Sequence, residues 1–67
     1  MEINQKIREL RISKGISQVF VAKELWISVS AYNMKETGKC SFKAQELKCV
    51  AKVLNEKPAI FLNNNST

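Results

Sequence analysis

Residues 17–36 read SQVFVAKELWISVSAYNMKE, and two serines divide this stretch into two segments of helical length. Serine is a preferred N-cap because its hydroxyl accepts a hydrogen bond from an unpaired N–H group in the first turn. Ten residues separate Ser17 from Ser28, which is room for about two turns of helix and a tight connection. The spacing therefore predicts one helix over 18–25 and a second over 29–36, the form of a helix-turn-helix.

Three further helices are predicted around this pair. Apolar residues at helical spacing predict a first helix over 4–14, which Gly15 ends as a left-handed residue. A second apolar run at i, i+3, i+4 and i+7 predicts a fourth helix that starts within 41–44 and stops at Asn55. Pro58 suits the start of a short fifth helix, where its missing N–H has no cost. The sequence shows no strand pattern, so the expected fold is an all-α, compact bundle of five short helices.

The composition predicts one small basic domain. The chain has 67 residues, of which 45% are apolar, so we expect a folded domain over 1–62 and a polar tail over 63–67. Eleven lysines and arginines against six acidic residues give a net charge of +5, which suits an anionic partner such as nucleic acid. A chain this short buries only about 60% of its unfolded surface, so dimerisation would stabilise it.

The residue types present argue against several classes of function. The sequence has no histidine, and Cys40 and Cys49 do not form a CxxC pair, which removes most zinc sites and all His-based catalysis. We expect no metal, no cofactor, no small-molecule ligand and no enzymatic activity, because the core is too small for a pocket. No apolar run approaches the ~20 residues that cross a bilayer, and no signal peptide follows Met1. The expectation is a cytoplasmic protein with reduced thiols and no membrane partner.

Residues in register along most of the chain resemble the Cro/C1-type, or XRE-like, helix-turn-helix family of phage and bacterial repressors. The match to the family pattern needs no gap. No single residue decides it, and the evidence is the full set of matching residues in register. The matching residues are Ile7, Leu10, Arg11, Gly15, Ile16, Ser17, Gln18, Val21, Ala22, Leu25, Ile27, Ser28, Ser30, Tyr32, Glu36, Gly38, Lys39, Leu47, Val50, Ala51, Lys52 and Leu54. The resemblance implies a lambda-repressor-like fold whose third helix enters the major groove of double-stranded DNA. It also implies homodimers on pseudo-palindromic operators.

The resemblance further implies roles for individual residues. Those that fall where the family contacts base edges are Val29, Ser30, Asn33 and Met34. Those that fall where it contacts phosphates are Gln18, Thr37, Lys39 and Lys43. Lys35 is spaced four residues from Lys39, and this spacing predicts that it joins the basic patch. Arg11 and Glu36 resemble a buried ion pair that ties the first helix to the third.

The expected dimer interface is the fifth helix with the end of the fourth. Family practice and the need of a small chain for extra burial both favour this segment. Its residues are Pro58, Ile60, Phe61 and Leu62.

Three residues depart from the family pattern. Trp26 stands where glycine is usual, and a left-handed conformation there would cost a bulky residue about 1 kcal/mol or more, so we expect a different turn geometry. Lys35 replaces an apolar residue on the inward side of the third helix, and we expect its ammonium to reach out into water. Phe42 stands where proline is common.

The polar residues of the third helix indicate what it could read. Asn33 can form two hydrogen bonds with adenine, Ser30 can bond several bases, and Val29 offers methyl groups to thymine. No arginine, lysine or glutamine lies within 29–34, so the commonest contact to guanine is absent. We therefore expect a half-site that leans towards A·T pairs.

Two functions remain open at this point. The first is a sequence-specific transcriptional regulator, expected to be a repressor of phage or mobile-element type. The alternative is a protein-interaction module on the same fold, antirepressor-like or antitoxin-like, without specific DNA binding. Its apolar contact surface would consist of Val19, Phe20, Trp26 and Met34. Salt-dependent enrichment of DNA would favour the first, and salt-independent binding of a protein would favour the second.

Overall fold

The computed structural model describes residues 2–62, with only the backbone at Leu62, and this part of the chain forms five α-helices. They are α1 (Ile3–Ser13), α2 (Gln18–Glu24), α3 (Val29–Glu36), α4 (Ala44–Val53) and α5 (Ala59–Leu62). The described residues contain no strand, so the predicted all-α fold is confirmed. None of these five helices is long and apolar enough to cross a membrane. The predicted tail over 63–67 lies outside the described residues.

Side-chain caps begin the two helices of the central motif. The Ser17 hydroxyl accepts a hydrogen bond of 3.1 Å from the Phe20 N–H, and the Ser28 hydroxyl accepts one of 3.0 Å from the Ala31 N–H. Both bonds satisfy a first-turn donor that has no partner within the helix. The two serines therefore set where α2 and α3 start, as the sequence predicted.

The C-terminal ends of α1 to α4 share one hydrogen-bond pattern. Two positions beyond each helix stands a residue with positive φ, and its N–H donates to the carbonyl three residues back. The next N–H donates to the carbonyl five residues back, which completes a Schellman motif. The left-handed residues are Gly15, Trp26, Gly38 and Asn55, with φ of 69°, 62°, 90° and 59°.

Trp26 shows that the expected change of turn geometry was wrong. It adopts the left-handed conformation, its N–H donates to the Lys23 carbonyl at 3.1 Å, and the Ile27 N–H donates to the Ala22 carbonyl at 3.1 Å. Ile27 packs against the core and anchors the turn. The indole is 93% exposed, so its bulk extends into solvent, and the left-handed conformation costs about 1 kcal/mol.

The core lies where all five helices meet. Its buried apolar residues are Ile7, Val21, Ala22, Tyr32, Leu47, Val50, Ala51, Leu54 and Phe61. Ile16 and Ile27, the residues after the left-handed positions of α1 and α2, pack against this core. Phe42 contacts Tyr32 edge to face, with ring centroids 6.1 Å apart. The connections between helices are thus held by the same core as the helices.

The residues predicted to form the dimer interface differ in how far they are buried within their own chain. Phe61 has no exposed surface and belongs to the core of its own chain, so it offers no free surface to a second copy. Pro58 is exposed and Ile60 is half-buried. Leu62 is described by its backbone alone, as the last residue of α5.

Candidate nucleic-acid interface

The helix α3 has an inner side and an outer side of different chemistry. Tyr32 and Glu36, one turn apart, face inwards and are buried. The four residues predicted to contact bases lie on the adjoining part of the helix surface, which faces solvent. They are Val29, Ser30, Asn33 and Met34, and each is exposed. The structure therefore brings the predicted base-contacting residues together on one outward face.

A buried ion pair lies beneath this outer face. Arg11 Nε donates to Glu36 Oε2 at 2.8 Å, and Arg11 Nη2 donates to Glu36 Oε1 at 3.0 Å. The two side chains are 12% and 0% exposed. Arg11 Nη1 also donates to the carbonyl of Ile16 at 2.8 Å. Because a bidentate guanidinium–carboxylate pair fixes both groups in orientation, Arg11 ties α1 and the turn after it to α3.

Two further groups complete the surroundings of the Glu36 carboxylate. The Tyr32 hydroxyl donates to Oε2, and the Gln18 side-chain amide donates to Oε1 at 2.9 Å. Asn4 Nδ2 donates to the main-chain carbonyl of Glu36 at 3.1 Å. We call Arg11, Gln18, Tyr32 and Glu36 the polar cluster. It connects α1, α2 and α3 through one carboxylate.

The polar cluster holds its charges in a defined state at neutral pH. Burial acts to raise the pKa of Glu36, but hydrogen bonds from Arg11, Tyr32 and Gln18 outweigh it and keep the pKa below its usual value. Burial, together with the hydrogen bond to Glu36, raises the pKa of Tyr32. The hydrogen bond to Glu36 raises the pKa of Arg11 against the effect of burial. The cluster therefore contains a carboxylate, a guanidinium and a neutral phenol.

Gln18 lies at the first position of α2, and its side chain points towards α3. Besides its bond to Glu36, Gln18 Nε2 donates to Asn33 Oδ1 at 3.1 Å. Sequence reasoning assigned Gln18 to a phosphate. Here both hydrogens of its amide nitrogen are used within the chain, and the remaining carbonyl oxygen cannot donate to an anion.

Lys35 does not extend into water as expected. Its ammonium lies 3.1 Å from Glu46 Oε1 and donates to the Ser41 carbonyl at 3.1 Å. The Lys35 and Glu46 side chains are 13% and 16% exposed. Glu46 also accepts the Lys43 N–H at 2.8 Å, which caps α4. Lys35 therefore fastens the loop after α3 to α4, and its ammonium is not a free charge for a phosphate.

Sequence reasoning missed Glu46 as the partner of Lys35. A signal was present: a lysine on the inward side of α3 needs an acceptor, and Glu46 lies in the first turn of α4. Burial acts to raise the pKa of Glu46, but the Lys43 N–H and the Lys35 ammonium hold it below the usual range.

The loop after α3 presents the other residues predicted to contact phosphates. Lys39 and Lys43 are exposed, at two points of the loop between α3 and α4. Thr37 is also exposed, and its hydroxyl donates to the Asn33 carbonyl at 2.9 Å. The Met34 carbonyl accepts the N–H groups of Lys39 and Cys40. The loop is thus held against the end of α3 by main-chain hydrogen bonds while its lysine side chains remain exposed.

An exposed apolar set lies on α2 and the turn after it. Val19, Phe20 and Trp26 are 62%, 49% and 93% exposed. On α3, Val29 and Met34 are 43% and 39% exposed. The described residues contain no group of three or more His, Cys, Asp or Glu side chains placed to hold a metal. The exposed surface of α2 and α3 can therefore make apolar contacts, through these side chains, and amide hydrogen bonds, through Asn33, beside the lysines of the loop after α3.

Comparison with known proteins adds a family match and one curated relative. The family profile described as Helix-turn-helix matches residues 7–61. The chain is 36% identical over 52 residues to the HTH-type transcriptional activator BcrR of Enterococcus faecalis. That alignment covers 78% of this chain and 26% of the relative, so the chain spans about a quarter of the relative's length. No solved structure gives a significant match.

Proposed function

Because this chain belongs to the helix-turn-helix family, a family of DNA-binding domains, we propose that it is a sequence-specific regulator of transcription. In this proposal α3 enters the major groove of double-stranded DNA and its outer face reads base edges. A helix of this kind fits the groove, which is about 12 Å wide. The similar protein from Enterococcus faecalis is described as a transcriptional activator.

One observation carries the proposal: the inner side of α3 is held by buried hydrogen bonds to α1 and α2, while its outer side is exposed to solvent. Glu36, on its inner side, is held by Arg11 and Gln18 from two other helices. Asn33, on its outer side, is exposed. Base readout needs side chains held at fixed positions on a rigid support, and the buried hydrogen bonds to Glu36 supply that support.

The loop after α3 supports contact with the DNA backbone. Lys39 and Lys43 are exposed beside the C-terminal end of α3, and the whole chain carries a net charge of +5. Lysines at such positions neutralise phosphates and release counterions, which gives affinity without sequence preference. Phosphate contacts would therefore position α3, and the outer face would add specificity.

The direction of regulation is proposed to be repression, of phage or mobile-element type. Its support is the resemblance to phage and bacterial repressors, together with the physical simplicity of blocking a promoter by occupying it. We place the protein in the cytoplasm, where such DNA is found. A reporter gene downstream of a selected site, measured with and without the protein, decides the sign, since the relative is named as an activator.

A homodimer on a pseudo-palindromic operator is part of the same proposal. Two copies related by a two-fold axis would place their α3 helices about one helical turn of DNA apart. Pro58 and Ile60 keep exposed surface near α5 and are the described residues proposed for the contact. Sedimentation of the free protein and of the protein–DNA complex measures the number of copies.

Selection from genomic DNA tests the proposal directly. The protein is mixed with sheared host DNA at about 0.15 M salt, and the bound fragments are sequenced. A two-fold symmetric motif with half-sites about one helical turn apart is the expected result. Recovery of DNA without a motif would reduce the function to charge-driven binding, and recovery of no DNA would overturn it.

The exposed apolar set favours a second candidate, a protein-interaction module. Trp26 and Phe20 expose large apolar surfaces, and such surfaces often mark contacts with other proteins. This candidate predicts binding to a protein partner with little dependence on salt. If the selection yields no DNA, this function replaces the first.

A further inference from the structure

Glu46 has a role in binding DNA that its negative charge does not suggest. Resting on the proposed function, we infer that the ion pair between Lys35 and Glu46 positions the loop after α3 for contact with phosphates. The side chains that make those contacts are Lys39 and Lys43. Glu46 is then a positioning residue that touches no phosphate itself. Removing this acidic side chain should weaken binding to DNA, although it makes the protein more positive.

The first step is the geometry at one carboxylate oxygen. Glu46 Oε1 accepts the main-chain N–H of Lys43 at 2.8 Å and lies 3.1 Å from the Lys35 ammonium. The same ammonium donates to the main-chain carbonyl of Ser41 at 3.1 Å. Two main-chain groups of the loop are therefore held by an ion pair whose members belong to α3 and α4.

The second step is the environment of this ion pair. The side chains of Lys35 and Glu46 are 13% and 16% exposed, so water screens their attraction less than it screens a pair on the open surface. Lys35 also stands where the family resemblance leads us to expect an apolar residue. The ion pair is therefore a feature of this chain, and it replaces an apolar contact as the link between the loop and α4.

The third step is what the held loop carries. The side chains of Lys39 and Lys43 are exposed, while the main chain at each of them is fixed. The Lys39 N–H donates to the Met34 carbonyl at 2.9 Å, and the Lys43 N–H donates to Glu46. Ordering a loop on binding costs free energy. Because the ion pair orders this loop in the free protein, the two lysines can meet phosphates without that cost.

The experiment compares the affinity of three proteins for random duplex DNA over a salt series: the wild type, Glu46→Ala and Glu9→Ala. Glu9 is an exposed glutamate of α1, so the control variant has the same net charge as Glu46→Ala. We expect Glu46→Ala to bind about fivefold more weakly than the wild type, because the loop must then be ordered on binding. Glu9→Ala should bind as tightly as the wild type or more tightly. The slope of log K against log salt should stay unchanged in Glu46→Ala, since the same lysines still neutralise phosphates.

A double variant removes the effect of net charge. Lys35→Ala/Glu46→Ala carries the same net charge as the wild type. If the two residues acted as independent charges, their removal would cancel and the affinity would return to the wild-type value. Since they act as one link, the double variant should bind as weakly as Glu46→Ala, to within about twofold. Wild-type affinity in the double variant would overturn the inference.

A second background separates positioning from a general loss of structure. Lys39→Ala/Lys43→Ala lacks the side chains that the ion pair positions, so adding Glu46→Ala there should change the affinity by less than about twofold. Thermal unfolding followed by circular dichroism establishes that each protein is folded at the temperature of the assay. If Glu46→Ala is not, Glu46→Gln replaces it. The glutamine keeps an oxygen for the Lys43 N–H but loses the ion pair, and a loss of about threefold is expected.

The outcomes separate this inference from the function on which it rests. If the wild type binds neither random nor selected duplexes, the proposed function fails and the inference fails with it. If the wild type binds DNA and Glu46→Ala binds as tightly as Glu9→Ala, only the inference is overturned. If Glu46→Ala lowers the affinity equally with and without the two loop lysines, Glu46 is merely structural and the inference is again overturned.

Discussion

The two sides of α3 differ in chemistry: the inner side contributes to stability, and the outer side is the one proposed to contact DNA. The inner side places Glu36 in a buried network with groups from three helices, in which Arg11, Gln18 and Tyr32 all donate to its carboxylate. The outer side carries exposed Ser30 and Asn33 with apolar neighbours. Changes on the inner side should therefore alter the free energy of unfolding, and changes on the outer side should alter binding.

The largest effect is expected for Glu36→Ala. Removing the carboxylate leaves the Arg11 guanidinium nearly buried without its counter-charge, which lowers the free energy of unfolding by about 3–5 kcal/mol. Urea denaturation followed by circular dichroism measures the change, with Glu9→Ala on the exposed side of α1 as the matched control. A loss below about 1 kcal/mol, the value of a surface pair, would show that the inner side is not the stabilising one.

Acid should weaken the same side of α3. The pKa of Glu36 is lowered in the folded state, so its contribution is present above the unfolded value of about 4.3 and is lost as pH falls through the folded pKa. The urea concentration at the midpoint of unfolding, measured from pH 7 downwards, should begin to decrease once the pH is below about 5. Glu36→Gln should show a shallower fall. Equal slopes in the two proteins would assign the acid sensitivity to other carboxylates.

On the outer side, Asn33→Ala should change binding without changing folding. Loss of one base contact weakens binding to the selected site by about 1–3 kcal/mol and leaves random DNA nearly unaffected. The free energy of unfolding should shift by less than about 0.5 kcal/mol, as for other exposed positions. Fluorescence anisotropy of labelled duplexes gives both affinities. An equal loss on both duplexes would remove Asn33 from base readout.

A smaller effect is expected at the turn that joins α2 to the start of α3. Trp26→Gly removes the left-handed strain and should raise the free energy of unfolding by about 1 kcal/mol. The reverse change, Gly15→Ala, should lower it by a similar amount, since a Cβ there would meet no atom within 4 Å and only the backbone strain is added. If both variants are neutral, the strain at these positions has been overestimated.

The smallest effect concerns the lysines beside α3. Lys39→Ala should reduce the slope of log K against log salt concentration by about 0.9, the value of one phosphate. Lys35→Ala should leave that slope unchanged, because the Lys35 ammonium is already paired with Glu46. A salt series on random DNA measures both slopes. A reduced slope for Lys35→Ala would return it to the group of phosphate contacts.

Local signals in the sequence were sufficient for the helices and for the outer face of α3. The hydroxyls of Ser17 and Ser28 act within one turn of their own helices, so their role is visible without tertiary structure. The side chains predicted to contact bases share one face because helical periodicity alone places them there. The roles of those side chains towards DNA stay predictions.

Non-local contacts account for two of the three features that the sequence did not predict, at Lys35 and Gln18. Lys35 meets Glu46 only because α4 folds back against the end of α3. The Gln18 side-chain amide donates to Asn33 and Glu36, which lie 15 and 18 residues further along the chain. Trp26 keeps the left-handed turn because two main-chain hydrogen bonds to α2 and the packing of half-buried Ile27 against the core outweigh the preference of a bulky residue for negative φ. For Lys35 and Gln18 the deciding partner comes from another element, whereas the turn at Trp26 is held by carbonyls of α2 itself.

Trp26 also gives the molecule an optical property. It is the single tryptophan of the chain, and its indole is almost fully surrounded by water at the turn before α3. The emission of the free protein therefore reports solvent at this one place, with no competing indole elsewhere. Whatever covers the turn, whether nucleic acid or protein, will shift or quench that emission. The protein thus carries a natural, site-specific fluorophore next to α3.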